Sequence, residues 1–195
     1  MSKGNWLLKA FKIIGLVLAM GVSMSGCADT LSWQEEVKLL DGRIIVVAQK
    51  RQYERAYNGS NFGGVPRESW LTLKLPETGN QEITWHEKLK PSNLNIANGK
   101  LYIVGIPPTS REFYLYNKPR PPYIGYVFEN KAWQPIPFNE IPVDIYDMNL
   151  SIDSENYIQA GHITLADKTK ELRDPTLPKV FKRIDSSYKD PDDHK

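Results

Sequence analysis

The segment 94-LNIANGKLYIVGI-106 decides the fold, because two apolar runs in it flank the dipeptide Asn98-Gly99. Asn-Gly is the dipeptide that best fits a two-residue type I′ turn, since both central residues of that turn need a positive φ. Residues 94–97 and 100–106 are therefore predicted to form the two antiparallel strands of a β-hairpin.

Two further hairpins are predicted nearer the N-terminus. Residues 70–75 and 82–87 flank turn residues at 76–80, and three leucines alternate along the first of these strands. Asp41-Gly42 separates the alternating residues 33–39 from the β-branched run 43–48. Residues 32–42 also have the spacing of a short helix that begins with a capping box. The hairpin is the favoured interpretation and the helix is the alternative.

The second half of the chain is rich in proline and aromatic residues. Eight of the fourteen prolines lie between residues 107 and 142. Because proline removes a hydrogen-bond donor from a β-ladder, we expect short strands at 112–116 and 123–128 between proline bends. Further strands are predicted at 144–152 and 157–165. Long helical periodicity is absent after the N-terminal prefix, so the fold class is mainly β, an antiparallel β-sandwich or partly open barrel built from hairpins.

The first 27 residues have a different character. Three lysines precede the apolar run 13–22, which ends at Met24-Ser25-Gly26-Cys27, and Cys27 is the only cysteine. A membrane-spanning helix needs roughly 20 apolar residues, so this run is too short to span and instead is typical of a secretory signal. The residues before Cys27 resemble the lipobox of a bacterial lipoprotein precursor.

The resemblance implies that the signal is cleaved between Gly26 and Cys27 and that Cys27 carries diacylglyceryl and N-acyl groups. Such groups anchor a protein stably, because each buried methylene adds about 0.8 kcal/mol. Ala28 lacks the aspartate associated with inner-membrane retention, so the expected location is the outer membrane, facing the periplasm. The rival interpretation is an ordinary secretory signal followed by an incidental cysteine.

These features predict the domain organisation. Residues 1–26 are a lipoprotein signal peptide, 27–32 a lipidated N-terminus and linker, 33–173 the β domain, and 174–195 a flexible polar C-terminal tail. Without the three lysines of the prefix, 22 of the 25 basic residues remain against 23 acidic ones. This near-neutral balance provides no basic surface for the phosphate contacts that dominate nucleic-acid binding, so nucleic acid is not expected as a partner.

Catalytic and cofactor motifs are not recognisable in the sequence. There is no G-x-S-x-G string, and His86, His162 and His194 lack the spacing of a zinc site. We therefore predict no metal, no cofactor and no catalytic residue. The best candidate binding surface lies in segment 107–142, because exposed aromatic rings can contact sugars or proteins. Its candidate residues are Tyr114, Tyr116, Tyr123 and Trp133, with burial in the core as the alternative.

The leading hypothesis for function is a lipid-anchored envelope protein whose β domain is a non-enzymatic interaction or assembly module that binds another envelope protein. Two alternatives remain open. One is a module that binds peptidoglycan or another glycan, and the other is a periplasmic hydrolase with a carboxylate pair that the sequence does not identify.

Overall fold

The computed structural model describes residues 28–54, 64–151, 161–173, 175–176 and 182–188. Its strands are β1 (Ala28–Lys38), β2 (Ile44–Glu54), β3 (Val65–Lys74), β4 (Glu82–Glu87), β5 (Lys90–Ala97), β6 (Lys100–Ile106), β7 (Ile124–Glu129), β8 (Ala132–Ile136) and β9 (His162–Ile163). Its α-helices are α1 (Ser110–Leu115) and α2 (Leu165–Arg173), and short 3-10 helices occupy Pro76–Thr78, Phe138–Glu140 and Val143–Ile145.

The strands form two sheets. The first has the order β4-β3-β2-β1-β9 and is antiparallel except for the short parallel pair of β1 with β9. The second has the order β5-β6-β7-β8 and is antiparallel throughout. The predicted hairpin at Asn98-Gly99 is confirmed, since these residues have φ values of 52° and 73°. Residues 33–48 form the favoured hairpin and not the alternative helix.

The two sheets pack face to face around a shared apolar core. From the first sheet, Val37, Val47, Leu71 and Trp85 are fully buried, and from the second, Leu94 and Ile103 are fully buried. Leu71, Leu73 and Leu75 are all buried, as their alternation predicted. The sheets are not closed into a barrel, so the fold is the antiparallel β-sandwich of the sequence prediction.

The second sheet is buried on both faces. Its outer face is covered by the 3-10 helices at 138–140 and 143–145 and by residues 146–148 and Ile184. Residues 147 and 183 form an isolated β-bridge, which holds the short C-terminal segment against this cover. Burial on both faces explains why 101–104 is a continuous apolar run instead of an alternating one.

Several local predictions were wrong. Residues 112–116 are not a strand, because Ser110–Leu115 is the helix α1. The predicted strand at 144–152 is a 3-10 helix at Val143–Ile145 followed by irregular chain as far as 151. The backbone N–H groups of Asn149 and Leu150 both donate to the carbonyl of Ser92 instead of to a neighbouring strand.

The remaining differences concern the limits of elements. The prediction for 157–165 lies largely outside the described residues; within them, β9 contains only His162–Ile163, and α2 begins at Leu165. The edge strand β8 was not predicted, because Pro135 interrupts it. β1 begins at Ala28 and so includes residues 28–32, which the sequence analysis assigned to the linker.

The sandwich has two distinct ends. Hairpin turns after residues 38, 74, 97 and 129 lie at one end, which we call the turn end. There, the amide of Leu40 donates to Asn95 Oδ1 across the two sheets, at 2.8 Å. At the opposite end, which we call the open end, β1 begins, β2 ends and β3 begins. The β6–β7 connection, residues 107–123 with α1, lies at the open end too.

Candidate functional site at the open end

An ion pair between α1 and β3 holds helix α1 to the first sheet. Glu112 of α1 is 1% exposed and accepts a hydrogen bond from Arg67 Nη1 of β3 at 2.9 Å. Arg67 Nε also donates to Glu54 at the end of β2, at 2.5 Å. Arg67 therefore joins β2, β3 and α1 at the open end.

The charge state of this pair is fixed by its surroundings. Burial acts to raise the pKa of Glu112, but hydrogen bonds from Thr109 and Arg67 outweigh it and hold that pKa below its ordinary value. Burial likewise acts to lower the pKa of Arg67, and its two carboxylate partners raise it. Both groups are consequently charged at neutral pH, and the attachment of α1 to the sheet is ionic.

The outer surface of α1 is exposed and amphipathic. Tyr114 and Leu115 are 63% and 59% exposed, so two adjacent large side chains face the solvent. Lys118 Nζ lies 4.8 Å from the centroid of the Tyr114 ring. Arg111 is exposed and lies 3.6 Å from Glu54. Apolar and basic side chains are thus interleaved on one surface.

A polar cleft of about 340 Å³ lies next to this helix. Residues from β3, β4 and the region of α1 line it: Glu68, His86, Glu87, Lys88, Leu115 and Tyr116. The ring nitrogen Nε2 of His86 is 3.0 Å from Glu68 Oε2. The hydroxyl of Tyr116 donates to Glu87 at 2.8 Å and accepts from the amide of Lys88 at 3.1 Å. Each carboxylate of the cleft therefore has a partner within the chain.

The polar groups of the cleft are suited to hydrogen bonding more than to acid–base chemistry. Burial, together with the adjacent Glu87, raises the pKa of Tyr116, so that its hydroxyl keeps its proton at neutral pH. Trp70, beside the cleft, is stacked on His86 at 4.3 Å on one side and covered by Lys50 Nζ at 4.4 Å. These contacts leave its ring unsuited to stack on a sugar.

The four aromatic residues proposed from the sequence do not form one surface. Tyr114 and Tyr116 lie at the open end, the first exposed and the second half-buried. Tyr123 is 3% exposed and packs against Phe138, so its ring belongs to the core. Trp133 is half-buried in β8 beside Phe128, next to the turn end. The alternative of core burial applies to Tyr123, and only Tyr114 is largely exposed. Gly26 and Cys27 lie outside the described residues.

A second exposed apolar surface lies at the turn end. Leu40, Ile44 and Val46 are 51%, 58% and 53% exposed. Ile44 and Val46 point outwards from β2, on the face of the first sheet that is opposite to the second sheet. We call these three residues the turn-end patch, and it is separated from α1 by the length of the strands.

The residues that build the open end, namely Arg67, Arg111 and Glu112, were not predicted from the sequence. One signal for α1 was present, because Thr109-x-x-Glu112 has the spacing of a capping box. Nothing in the sequence links Glu112 to Arg67, since 45 positions separate them.

Within the described part of the chain, no three His, Cys, Asp or Glu side chains are placed to hold a metal ion. None of the helices in those residues has the length and apolar character needed to cross a bilayer. Comparisons with protein-family models, with curated proteins and with solved structures find no match to this chain.

Proposed function

We propose that this chain is a lipid-anchored protein of the bacterial envelope, attached through Cys27 to the outer membrane and facing the periplasm. The lipobox-like residues Met24-Ser25-Gly26-Cys27 are the observation that carries the proposal. The position of β1 supports it, because this strand begins at Ala28, directly after the cysteine. A folded domain that starts at the first residue after the anchor would remain next to the bilayer.

The domain would act as an interaction or assembly module, and its partner would be another envelope protein. The turn-end patch supports this role, because Ile44 and Val46 are exposed on the same face of β2 and grouped exposed apolar side chains are typical of protein interaction sites. If the open end is next to the membrane, the turn end faces away from it. A partner in the periplasm could therefore reach Leu40, Ile44 and Val46.

The anchor is tested by metabolic labelling with a radioactive fatty acid. Cys27→Ser should abolish labelling and leave an uncleaved precursor, because no other thiol exists to accept the diacylglyceryl group. Met24→Leu is the matched control, since it leaves the cysteine in place and should keep labelling. Labelling of the Cys27→Ser protein would refute the anchor.

The interaction role is tested by crosslinking in intact cells followed by purification. Val46→Glu should lose crosslinked protein partners, because it places a charge in the turn-end patch. Gln34→Glu is the control, since it makes a comparable charge change at an exposed position on the adjacent strand. Equal loss in both variants would contradict the assignment of the interaction to the turn-end patch. The absence of any protein partner, together with retention on purified peptidoglycan, would favour the glycan-binding alternative.

A further inference from the structure

We infer that the β6–β7 connection, residues 107–123 with α1, is a second membrane contact that docks on an anionic lipid surface next to the anchor. The inference rests on the proposed lipid anchor at Cys27 and adds a site that the anchor alone does not require. Its basis is the position of α1 relative to the start of β1, together with the chemistry of the exposed side chains.

Helix α1 lies close to the residue that follows the proposed anchor. The 27 residues that precede the described chain end where β1 begins, and Ala28 is the register partner of Glu54. Paired residues on adjacent antiparallel strands have Cα atoms about 4.5 to 5.5 Å apart. Glu54 in turn lies 3.6 Å from Arg111 and 2.5 Å from Arg67. One strand pairing and one side-chain contact therefore separate helix α1 from the residue that follows the anchor.

The exposed surface of α1 contains side chains that are suited to a membrane interface. Tyr114 and Leu115 provide the apolar part of the surface, at 63% and 59% exposure. Tyrosine is enriched at membrane interfaces, where its ring lies among the headgroups. Leucine next to it can reach the boundary of the acyl chains, as on helices that lie in the membrane plane.

The exposed surface of the β6–β7 connection also carries basic side chains. The exposed charged side chains of the connection 107–123 are Arg111, Lys118 and Arg120, and all three are basic. The acidic groups nearby are of two kinds. Glu54 and Glu112 are offset by Arg67 and Arg111. Glu68 and Glu87 lie in the cleft beside Leu115 and are bonded there by His86 and Tyr116. Lys118, which lies beside the exposed Tyr114 ring, then adds positive charge that complements anionic headgroups, at about 1 kcal/mol per basic residue close to such a surface.

Helix α1 is fixed to the end of the sandwich that the anchor would hold at the bilayer. Arg67 ties α1 to β2 and β3 through Glu112 and Glu54, so the connection is fixed to the end of the sandwich. An anchor at residue 27 would hold the same end against the bilayer. Docking would then be an intramolecular event at high effective concentration, which allows a small contact to be occupied.

The experiment uses the acylated protein reconstituted into vesicles and a probe attached to a single introduced cysteine. Lipidation blocks the sulfur of Cys27, so Leu115→Cys carries the only reactive thiol. An environment-sensitive dye there should be blue-shifted and protected from iodide on vesicles of phosphatidylethanolamine with phosphatidylglycerol. The same dye at Gln81→Cys, an exposed position at the turn end, should remain accessible to iodide.

A charge variant tests the electrostatic part. Lys118→Gln in the Leu115→Cys protein should lower the ratio of docked to undocked molecules roughly fivefold, which is the loss of one basic contact. Vesicles of phosphatidylcholine should give less protection. Equal iodide quenching at positions 115 and 81 on anionic vesicles would overturn the inference, and equal protection of position 115 on both lipid compositions would overturn its charge-based assignment.

Failure of the anchor would look different. Without introduced cysteines, the acylated protein should not react with the dye, whereas an unmodified Cys27 would be labelled. Protein that is labelled at Cys27 and does not remain with vesicles would overturn the proposed function. Protein that remains with vesicles while position 115 stays exposed would overturn only the second contact.

Discussion

Replacing Lys168 should destabilise the fold more than any exposed charge change, because this lysine lies in the interior opposite a fully buried carboxylate. Lys168 of α2 is 6% exposed, and its Nζ is 3.0 Å from Glu35 Oε1 on β1. Glu35 also accepts hydrogen bonds from Gln49 Nε2 and from the amide of Ser151, both at 2.6 Å. Lys168→Met removes the only cation among these contacts to Glu35 and leaves its negative charge in the interior.

The magnitude follows from that environment. Breaking a buried ion pair by removing one partner costs about 3 to 5 kcal/mol, because the remaining charge is no longer compensated. Hydrogen bonds from Gln49 and Ser151 persist in the variant and compensate part of the charge, so we expect the lower half of that range. Lys168 Nζ also donates to the carbonyl of Asn149 at 2.6 Å, and the variant loses this bond as well.

The assay is equilibrium unfolding in urea, followed by the fluorescence of the buried Trp33 and Trp85. Lys170→Met is the matched control, since this lysine is on the same helix, is 72% exposed and lies 3.7 Å from Asp167. The control should change the free energy of unfolding by less than about 0.5 kcal/mol, because an exposed pair contributes little. The double variant Glu35→Gln with Lys168→Met should be less destabilised than the sum of the two single variants.

A loss of unfolding free energy below about 1 kcal/mol for Lys168→Met, similar to that of the control, would refute the reasoning. A buried carboxylate that has lost its cation should destabilise the fold by more than that. Additive single and double variants would equally refute direct coupling of the two side chains.

Two further predictions concern other parts of the fold. Glu112→Gln should lower the free energy of unfolding at neutral pH by about 1.5 to 3 kcal/mol, the usual range for a charged hydrogen bond. The pKa of Glu112 in the folded protein lies below its ordinary value of 4.5, so the difference from the unmodified protein should be full above pH 4.5 and disappear as the pH falls through the folded pKa. Urea titrations at several pH values measure this difference. Gly125→Ala should cost about 1 to 3 kcal/mol by overpacking, because its new Cβ would lie 2.6 Å from Ile141 Cγ1. Gly99→Ala meets no atom within 4 Å and should cost about 1 to 2 kcal/mol through its φ of 73° alone. Ile141→Ala separates the two glycine sites in thermal unfolding, because it removes the Cγ1 and Cδ1 atoms that the new Cβ at position 125 would meet. Ile141→Ala should therefore cost less stability when it is added to Gly125→Ala than when it is added to Gly99→Ala.

The hairpins could be predicted because their signals are local. Asn98-Gly99 supplies both positive φ values of its turn, and the leucines at 71, 73 and 75 assign one strand face to the core. Both features depend on residues that are adjacent or two apart, so the sequence contains all the information that the hairpin needs.

The errors occurred where distant contacts decide the local structure. Segment 146–151 is irregular because its amides bond to Ser92 and its side chains to both sheets: Asn149 Oδ1 accepts from the amide of Leu94, and Asn149 Nδ2 donates to the carbonyl of Lys38. A single residue thereby joins the two sheets, and no local pattern could indicate this. Helix α1 depends in the same way on Arg67, far from it in the sequence.

Polar residues on inner strand faces were the other source of difficulty. Alternation along β1 correctly separates its two faces, and the inner faces of β1 and β2 are apolar towards the turn end, where Val37, Leu39 and Val47 lie. Towards the open end Trp33 is also buried, but the inner positions there include Glu35, Gln49 and Arg51, all at most 2% exposed. Such residues would be assigned to solvent by composition. Glu35 is bonded in the interior by Lys168 of α2 and by the amide of Ser151, both distant in sequence. The guanidinium of Arg51 lies over the Trp33 ring of the adjacent strand.

This polar half of the interior bears on how a lipid anchor would act. β1 lies between β2 and β9 in the sheet, and its eleven residues are in register with β2 from Ala28 onward. Glu35 further ties the same strand to α2 and Ser151. An acylated Cys27 would therefore be joined to an interior, multiply bonded strand with no flexible linker in between. This short tether would limit the distance of the domain from the bilayer. It would not fix the tilt of the domain, because the Cys27 side chain and its glyceryl group contain several rotatable single bonds. Contacts of Tyr114 and Leu115 with the headgroups would therefore set the orientation that the anchor leaves free.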